Sequence, residues 1–386
     1  MKRPPLRDIL GLFVASRFLL VMVTYFGYIL LTAPKYSSLP VDATALFTSW
    51  NHWDAANYVR IAQYGYQTPF DFAFFPLFPL LISALAYPLA YPLAFGSWSY
   101  IAMGMIISNL ALLGALFILY QLAADIGGDQ VARRTLLYLC IFPTAFFFFT
   151  SYNESLFLLL ASGSFLALRR QKWWLAGLLG FLTALTRNAG PILAIPYLYE
   201  LWLARESILA TRKNAVLGIL PIVLIPLGTV LYCIYCWKVT GNPLAWATVQ
   251  YHWSRVFTWP WRGIWQALYE LVWNQPFGSF NQAHIILDLS ATIGFLILII
   301  LGRSRLRTSY TLWTAVFLVY VLLGPSTGQR DSLISNQRFV LEFFPAFITL
   351  AMLGIKYPRF HQALLMLFPA LLAILSILFV MNSWMV

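Results

Sequence analysis

Long apolar runs separated by short polar connectors set the pattern of this chain. A membrane-spanning helix needs about 20 predominantly apolar residues. Runs of that type, or somewhat shorter, occupy 9–31, 100–123, 135–150, 155–168, 173–186, 191–203, 215–237, 285–301, 311–323, 339–355 and 363–381. A further apolar stretch, 72–95, holds Pro76, Pro79, Pro88 and Pro92. Each proline removes a backbone hydrogen bond that lipid cannot replace, so this stretch reads as a re-entrant or interfacial segment. The run pair 173–186 and 191–203 is short, and a broken hairpin bent at Arg187–Pro191 fits it. The pattern predicts an all-α polytopic membrane protein with about 11–12 transmembrane helices in a single domain over 1–386.

The connectors orient the chain. Lys2, Arg3 and Arg7 precede the first run. Arg133-Arg134, Arg169 to Lys172, 205–213, 303–307 and 356–359 are all basic. The positive-inside rule places them in the cytoplasm. All of them fall inside only if 72–95 does not cross fully, which gives eleven spans. The outer side then receives a long first loop (32–71), the turn 151–154, a Trp-rich loop (238–283) and the loop 324–338. Within the Trp-rich loop, 246–273 carries Trp253, Trp259, Trp261, Trp265 and Trp273 with Arg255 and Arg262, and reads as an amphipathic piece lying in the interface.

Composition agrees with the lipid setting. The chain is 61% hydrophobic and 10% charged, against roughly 25% charged residues in soluble domains. The first apolar run is too long for a signal-peptide core and lacks a small-residue cleavage site after it. The net charge of +12 is explained by basic helix ends, and no basic patch of the nucleic-acid type is present. Cys140, Cys233 and Cys236 lie in apolar runs and complete no zinc motif. There is neither a D-x-D sequence nor a G-x-x-x-x-G-K-[ST] loop. No metal and no cofactor are expected.

Candidate chemistry gathers on the outer side. The first loop carries Asn51-His52-Trp53-Asp54-Ala55-Ala56-Asn57-Tyr58 and ends at Asp71. A carboxylate between Trp53 and Tyr58 has two readings: a group working on a sugar stacked against the rings, or a helix N-cap within an interfacial aromatic belt. Among the other carboxylates Asp71 is the second candidate base, and Glu154 is placed to orient a hydroxyl. Asp331 and Glu342 neighbour Arg338 in sequence, and either is a candidate partner for it. His284 and Asp288 open a span. Arg187 sits at a helical break inside apolar sequence, where an unpartnered charge is expensive. Arg338 sits where an outer loop enters a helix and reads as a phosphate contact or an interfacial anchor. Arg330 and Arg60 are weaker candidates, and Arg17 reads as snorkelling or paired within the bundle.

Several of these segments recur together in one known family. His52-Trp53-Asp54-Ala55, Gly65-Tyr66, Phe72-Ala73-Phe74-Phe75-Pro76, Ser151-Tyr152-Asn153-Glu154-Ser155-Leu156-Phe157 and Thr186-Arg187-Asn188-Ala189-Gly190 resemble the signature of PIG-V-type mannosyltransferases. The last turn departs from the family's arrangement of Asn and its neighbours. The resemblance covers the first half of the chain well and the second half weakly. It implies a GT-C-like bundle with a long first outer loop and an acidic residue there, Asp54, as general base. It also implies a polyprenyl-phosphate hexose donor, mannose, and a lipid-linked or other extracytoplasmic acceptor. His52, Trp53, Tyr58, Asp71, Glu154, Arg187, Asn188, Gln337 and Arg338 are the residues expected to contact substrate.

The chemistry asks for the same groups. An acceptor hydroxyl attacking an anomeric carbon needs a base, and a departing phosphate needs a fixed cation, for which arginine is suited. The expected activity is an inverting, metal-independent transfer on the non-cytoplasmic face of a multi-pass protein of the plasma or endoplasmic reticulum membrane. The competing expectation is a transporter or lipid scramblase, since broken helices with intramembrane polar residues also mark transport sites.

Overall fold

A computed structural model describes residues 5–33, 42–91, 96, 98–327 and 331–384. Part of the first outer loop (34–41), Pro92 and the candidate Arg330 lie outside the described residues. Among the described residues the chain is helical, and its one β contact is an isolated bridge between Arg255 and Ser326. Among the described residues, five helices are long and apolar enough to cross a membrane: Leu6–Thr32, Trp98–Ile141, Asn214–Thr240, Phe280–Gly302 and Pro358–Val380. A sixth joins them if Asn336–Glu342 and Phe344–Lys356, bent by 87°, count as one span. The remaining expected spans are present as shorter or interrupted helices. Leu77–Ala90, with 14 residues, reaches about 21 Å at 1.5 Å per residue, well short of a bilayer core of about 30 Å. The chain is therefore an all-α multi-pass membrane protein.

One boundary differs from expectation, and one break is present but displaced. Between the expected runs 100–123 and 135–150, the stretch Trp98–Ile141 is two helices that meet at a non-helical Gly128 (φ 75°, ψ −174°), a conformation that a side-chain-bearing residue rarely adopts, and the basic pair Arg133-Arg134 lies in the second of them. The expected span at 339–355 is broken, because Val340–Glu342 winds as a 3-10 turn before the helix resumes at Phe344. The bend at Arg187–Pro191 is present: helix Trp173–Thr186 ends in an extended Arg187, and Gly190–Leu193 forms a 3-10 turn.

Two compact units make up the chain, each assembled from separated stretches. The first contains Met1–Gly65, Phe78–Leu156 and Leu350–Met385. There helix Leu6–Thr32 packs along Pro358–Val380 and along Trp98–Ile141. Gly27 permits the first approach, since a Cβ there would lie 2.6 Å from Ile377. Arg17 is buried and paired: Nη1 donates to Asn109 at 3.3 Å, and the guanidinium lies over the Phe13 and Phe149 rings.

The second unit contains Tyr66–Leu77 and Phe157–Thr349. Its helices Trp173–Thr186 and Leu224–Thr240 run closely together because glycine lines the contact. A Cβ on Gly228 would lie 2.5 Å from the Phe181 carbonyl oxygen. Small residues at such contacts let helices associate in lipid by close packing. Behind them Phe165, Tyr310, Trp313, Phe317, Phe343 and Phe344 pack ring against ring with centroids 5.0–5.9 Å apart.

Candidate functional site

In the first unit, the segment with Asp54 is held by a tight turn. Trp53 has φ 56° and ψ −127°, a conformation that costs a side-chain-bearing residue on the order of 1–3 kcal/mol and concentrates at functional sites. That turn makes Asp54 the first residue of helix Asp54–Tyr64. The N-cap is Trp53, so the helix-cap reading of Asp54 does not hold. The Asp54 backbone N–H donates to the Tyr152 hydroxyl at 3.2 Å. Thr150 Oγ1 donates to the Trp50 carbonyl at 2.5 Å, and the Trp50 and Phe149 rings meet at 4.7 Å. The turn 150–153 is thereby stitched to the first outer loop, and two motifs a hundred residues apart in sequence form one structure.

Around that turn the side chains divide into exposed and buried. Asp54 is half-buried, and Trp53 is 41% exposed with its ring 5.0 Å from Trp384. His52 is half-buried, and desolvation pushes its imidazole below the ordinary value, keeping it neutral at physiological pH. Tyr58 is buried, with its ring edge-on to Phe78 at 5.1 Å. Glu154 is fully buried in the first turn of helix Glu154–Arg169.

In the second unit, Asp71 has local work. Its Oδ2 accepts the backbone N–H groups of Gln67 (2.7 Å) and Thr68 (2.8 Å) and closes a capping box with Thr68. Those bonds give the carboxylate a structural role in the turn.

The main polar construction of this unit surrounds one aromatic ring. The guanidinium carbons of Arg187, Arg255 and Arg338 lie 5.4, 5.4 and 5.6 Å from the centroid of Phe339. Arg187 Nη1 meets Glu342 Oε1 at 2.5 Å, with the Glu342 side chain fully buried. Arg187 projects from the break after Thr186, where Gly190 turns so closely that a Cβ would sit 2.6 Å from the Thr183 carbonyl oxygen; Asn188 is half-buried in the same turn. Arg338 follows Ser335, a second side-chain-bearing residue in the left-handed region (φ 71°). Its loop is anchored on helix Phe280–Gly302, because Gln337 N–H donates to Asp288 Oδ1 at 2.8 Å and Asn336 Nδ2 donates to Thr292 at 2.9 Å.

Arg255 completes the group. Its Nη1 donates to the Gly324 carbonyl (2.9 Å) and Nη2 to that of Ile334 (3.1 Å), which fixes it on the loop carrying Arg338. Desolvation, reinforced by the neighbouring positive charge of Arg338, lowers its pKa to about 10, so it remains charged at neutral pH. Guanidinium forks match phosphate oxygens bidentately, and three guanidinium groups lie around the Phe339 ring. The sequence placed Arg255 in an interfacial Trp-rich piece and missed it. Of the partners considered for Arg338, Glu342 pairs with Arg187 and Asp331 meets His284. The helix Pro260–Tyr269 nearby does present Trp261 and Trp265 outward while burying Gly263 and Ala267, as an interfacial helix should.

Comparisons with known proteins give the geometry a context. The family described as "Mannosyltransferase (PIG-V)" matches residues 9–237. The matched stretch contains His52, Trp53, Asp54, Glu154 and Arg187 and stops before Arg255 and Arg338. The GPI alpha-1,6-mannosyltransferase 2 of Rattus norvegicus is 30% identical over 149 residues, 38% of this chain and 30% of that protein. Its Homo sapiens counterpart is 32% identical over 150 residues, 36% of this chain and 29% of that protein. The chain thus matches under a third of these relatives' own length. Among solved structures, ArnT from Cupriavidus metallidurans, crystallised with undecaprenyl phosphate, superposes with a TM-score of 0.52 at 14% identity, covering 88% of this chain and 62% of that one. At that identity the shared property is the fold.

Proposed function

The chain belongs to the mannosyltransferase (PIG-V) family, and from that membership we propose that it transfers mannose from a polyprenyl-phosphate sugar to a hydroxyl of a lipid-linked acceptor on the non-cytoplasmic face of its membrane. The acceptor oxygen attacks the anomeric carbon as the bond from that carbon to the phosphate oxygen breaks. Asp54 takes the hydroxyl proton, and the departing phosphate keeps the bonding electron pair. Arg187, Arg255 and Arg338 hold the phosphate as its negative charge grows, the role that a divalent cation plays for diphosphate donors. Attack opposite to the leaving group inverts the anomeric centre. Trp53 supplies an exposed aromatic face for the sugar, with His52 and Glu154 within the same unit supporting the turn.

The single observation carrying this reading is the three-arginine cradle on Phe339. Guanidinium groups suit a phosphate, and a polyprenyl phosphate is the ligand in the ArnT structure that shares the fold. A transporter would also need polar groups in its helices, but nothing in that reading calls for a strained turn presenting a carboxylate beside Trp53. The test uses the purified full chain with radiolabelled polyprenyl-phosphate mannose and a membrane glycolipid extract as acceptor. Asp54→Asn should lower transfer by about 10²–10⁴-fold while donor binding persists, and Arg338→Ala should weaken donor binding. Transfer by Asp54→Asn at the wild-type rate removes the base assignment. Flux of the lipid across liposomes without any product points to the transporter instead.

A further inference from the structure

We propose that His284, Asp288 and Asp331 form a binding site for one divalent transition-metal ion, of the zinc type by its donor set, which fastens the loop carrying Arg338 to helix Phe280–Gly302. The transfer chemistry above assigns no role to these three residues. His284 and Asp288 stand four residues apart on one helix and so share a face. Asp331 comes from the loop that leads into Arg338. All three side chains are buried, and their ligand atoms lie within 4.8 Å of one another.

The hydrogen bonding fixes how they are aimed. Asp288 Oδ1 accepts the Gln337 backbone N–H at 2.8 Å, and Asp331 Oδ1 accepts the Leu333 backbone N–H at 2.8 Å. Each carboxylate therefore uses one oxygen on the 331–338 loop and turns the other toward the imidazole. Asp331 Oδ2 is 2.9 Å and Asp288 Oδ2 is 3.5 Å from His284 Nδ1. This is the arrangement in which supporting hydrogen bonds orient first ligands around a metal. Zinc binds imidazole nitrogen and carboxylate oxygen at about 2.0–2.2 Å, so two donors on one ion stand up to roughly 4.2 Å apart, and both separations fit.

The independent observation is Asp288 Oδ2. It is fully buried, receives no hydrogen bond from a nitrogen donor, and is faced by the Asp331 carboxylate. A single Nδ1–H can serve only one of the two carboxylate oxygens that face it, and the shorter contact goes to Asp331. A buried acceptor left this way is costly. A cation satisfies the nitrogen and both oxygens together. An imidazole donor selects a transition ion over magnesium or calcium, and the absence of thiolate among the three donors leaves zinc and its neighbours in the series. The ion is structural in this proposal: it holds the segment that positions Arg338 and takes no part in bond making.

The full-length protein in detergent, stripped with a chelator and then dialysed against micromolar Zn2+, is assayed for bound metal by elemental mass spectrometry, and its thermal unfolding is followed in parallel. About one zinc per chain and a higher unfolding temperature on adding zinc are expected for the wild type. His284→Ala and Asp331→Asn should reduce the bound metal to background and abolish the temperature increase. Co2+ loading gives a second readout on the wild type alone, since intense visible ligand-field bands appear only if the ion leaves its octahedral water shell for a low-coordinate protein site. Zinc at background in the wild type after reloading overturns the proposal, and so does a His284→Ala protein that keeps one zinc per chain. Neither result bears on Asp54→Asn transfer, so this test and that of the enzymatic reading fail separately.

Discussion

Arg187 and Glu342 offer a way to separate what an ion pair does for stability from what one of its members does for a ligand. Arg187→Gln removes a guanidinium 2.5 Å from a fully buried carboxylate. Breaking a buried pair from one side costs about 3–5 kcal/mol. Because Arg255 and Arg338 approach the same ring, the lower end applies, about 3 kcal/mol. In a large chain each kcal/mol moves the unfolding midpoint by about 2 °C, so a fall of roughly 6 °C is expected. Glu342→Gln leaves three guanidiniums without that carboxylate and should destabilise by a similar amount. The double variant removes both charges at once and should recover to within about 1 kcal/mol of the wild type, since neutral replacements of buried pairs are often tolerated. Phosphate binding should not recover. A charged hydrogen bond to phosphate contributes about 1.5–3 kcal/mol, or roughly 10–100-fold in affinity. The assay is thermal unfolding by intrinsic tryptophan fluorescence, with titration of a short-chain polyprenyl phosphate on the same four proteins. A double variant as unstable as the sum of the singles refutes the pair as the source of stability. A double variant that binds the phosphate as tightly as wild type removes Arg187 from the cradle.

Four further outcomes follow from the geometry. Trp53→Gly should unfold about 1 kcal/mol later than Trp53→Ala, because φ 56° suits glycine and strains alanine; equal midpoints in thermal denaturation would deny the strain. Asp71→Ala should lose about 1–2 kcal/mol of stability through its two backbone hydrogen bonds yet keep its turnover per folded molecule, whereas loss of turnover with intact stability would restore it as a candidate base. Lipid-phosphate affinity should hold steady between about pH 8 and pH 9, where the phosphate is already fully ionised, and drop as the pH passes about 10, where Arg255 gives up its proton and a positive charge disappears; Arg255→Ala should lack that drop in a binding titration. Gly190→Ala puts a methyl group onto the backbone of Thr183 and Ala184, so it should destabilise by several kcal/mol and displace Arg187, seen as weaker phosphate binding in whatever fraction folds.

What could be read along the chain and what could not divides by sequence distance. Asp54 stood out because His52, Trp53, Asp54 and Tyr58 fall within seven residues, and a short outer segment dense in aromatics around one carboxylate has few uses. Arg187 stood out because a charge in apolar sequence is expensive, so its place in a polar cluster followed from energy alone. Asp71 looked like a base for the same reason that Asp54 did. Only coordinates show that its oxygen is already committed to the Gln67 and Thr68 amides, a local bond that composition does not encode. The break between the runs 100–123 and 135–150 is real but falls at the non-helical Gly128 rather than at Arg133-Arg134, because basic residues mark cytoplasmic helix ends but do not by themselves end a helix.

Arg255 was out of reach for a different reason. Its neighbours in sequence are tryptophans and a loop, and these describe an interfacial segment correctly. Its two partners lie 69 and 79 residues away, on carbonyls whose direction depends on the turn after Gly324 and on Ser335 adopting a left-handed backbone. Backbone carbonyls are the same in every sequence, so a guanidinium held by them leaves no pairing signature to find. The same holds for the loop around Arg338, whose anchor on Asp288 is again a backbone amide. Arg255 is thus held by backbone carbonyls, and Phe339 is the ring that it shares with Arg187 and Arg338. On that argument Phe339→Leu should weaken lipid-phosphate binding without altering the charge of the site, because it removes the surface against which the three guanidiniums are laid, each such contact contributing about 0.5–1 kcal/mol. An unchanged affinity in Phe339→Leu would mean that the carbonyls alone position the arginines and that the ring is incidental.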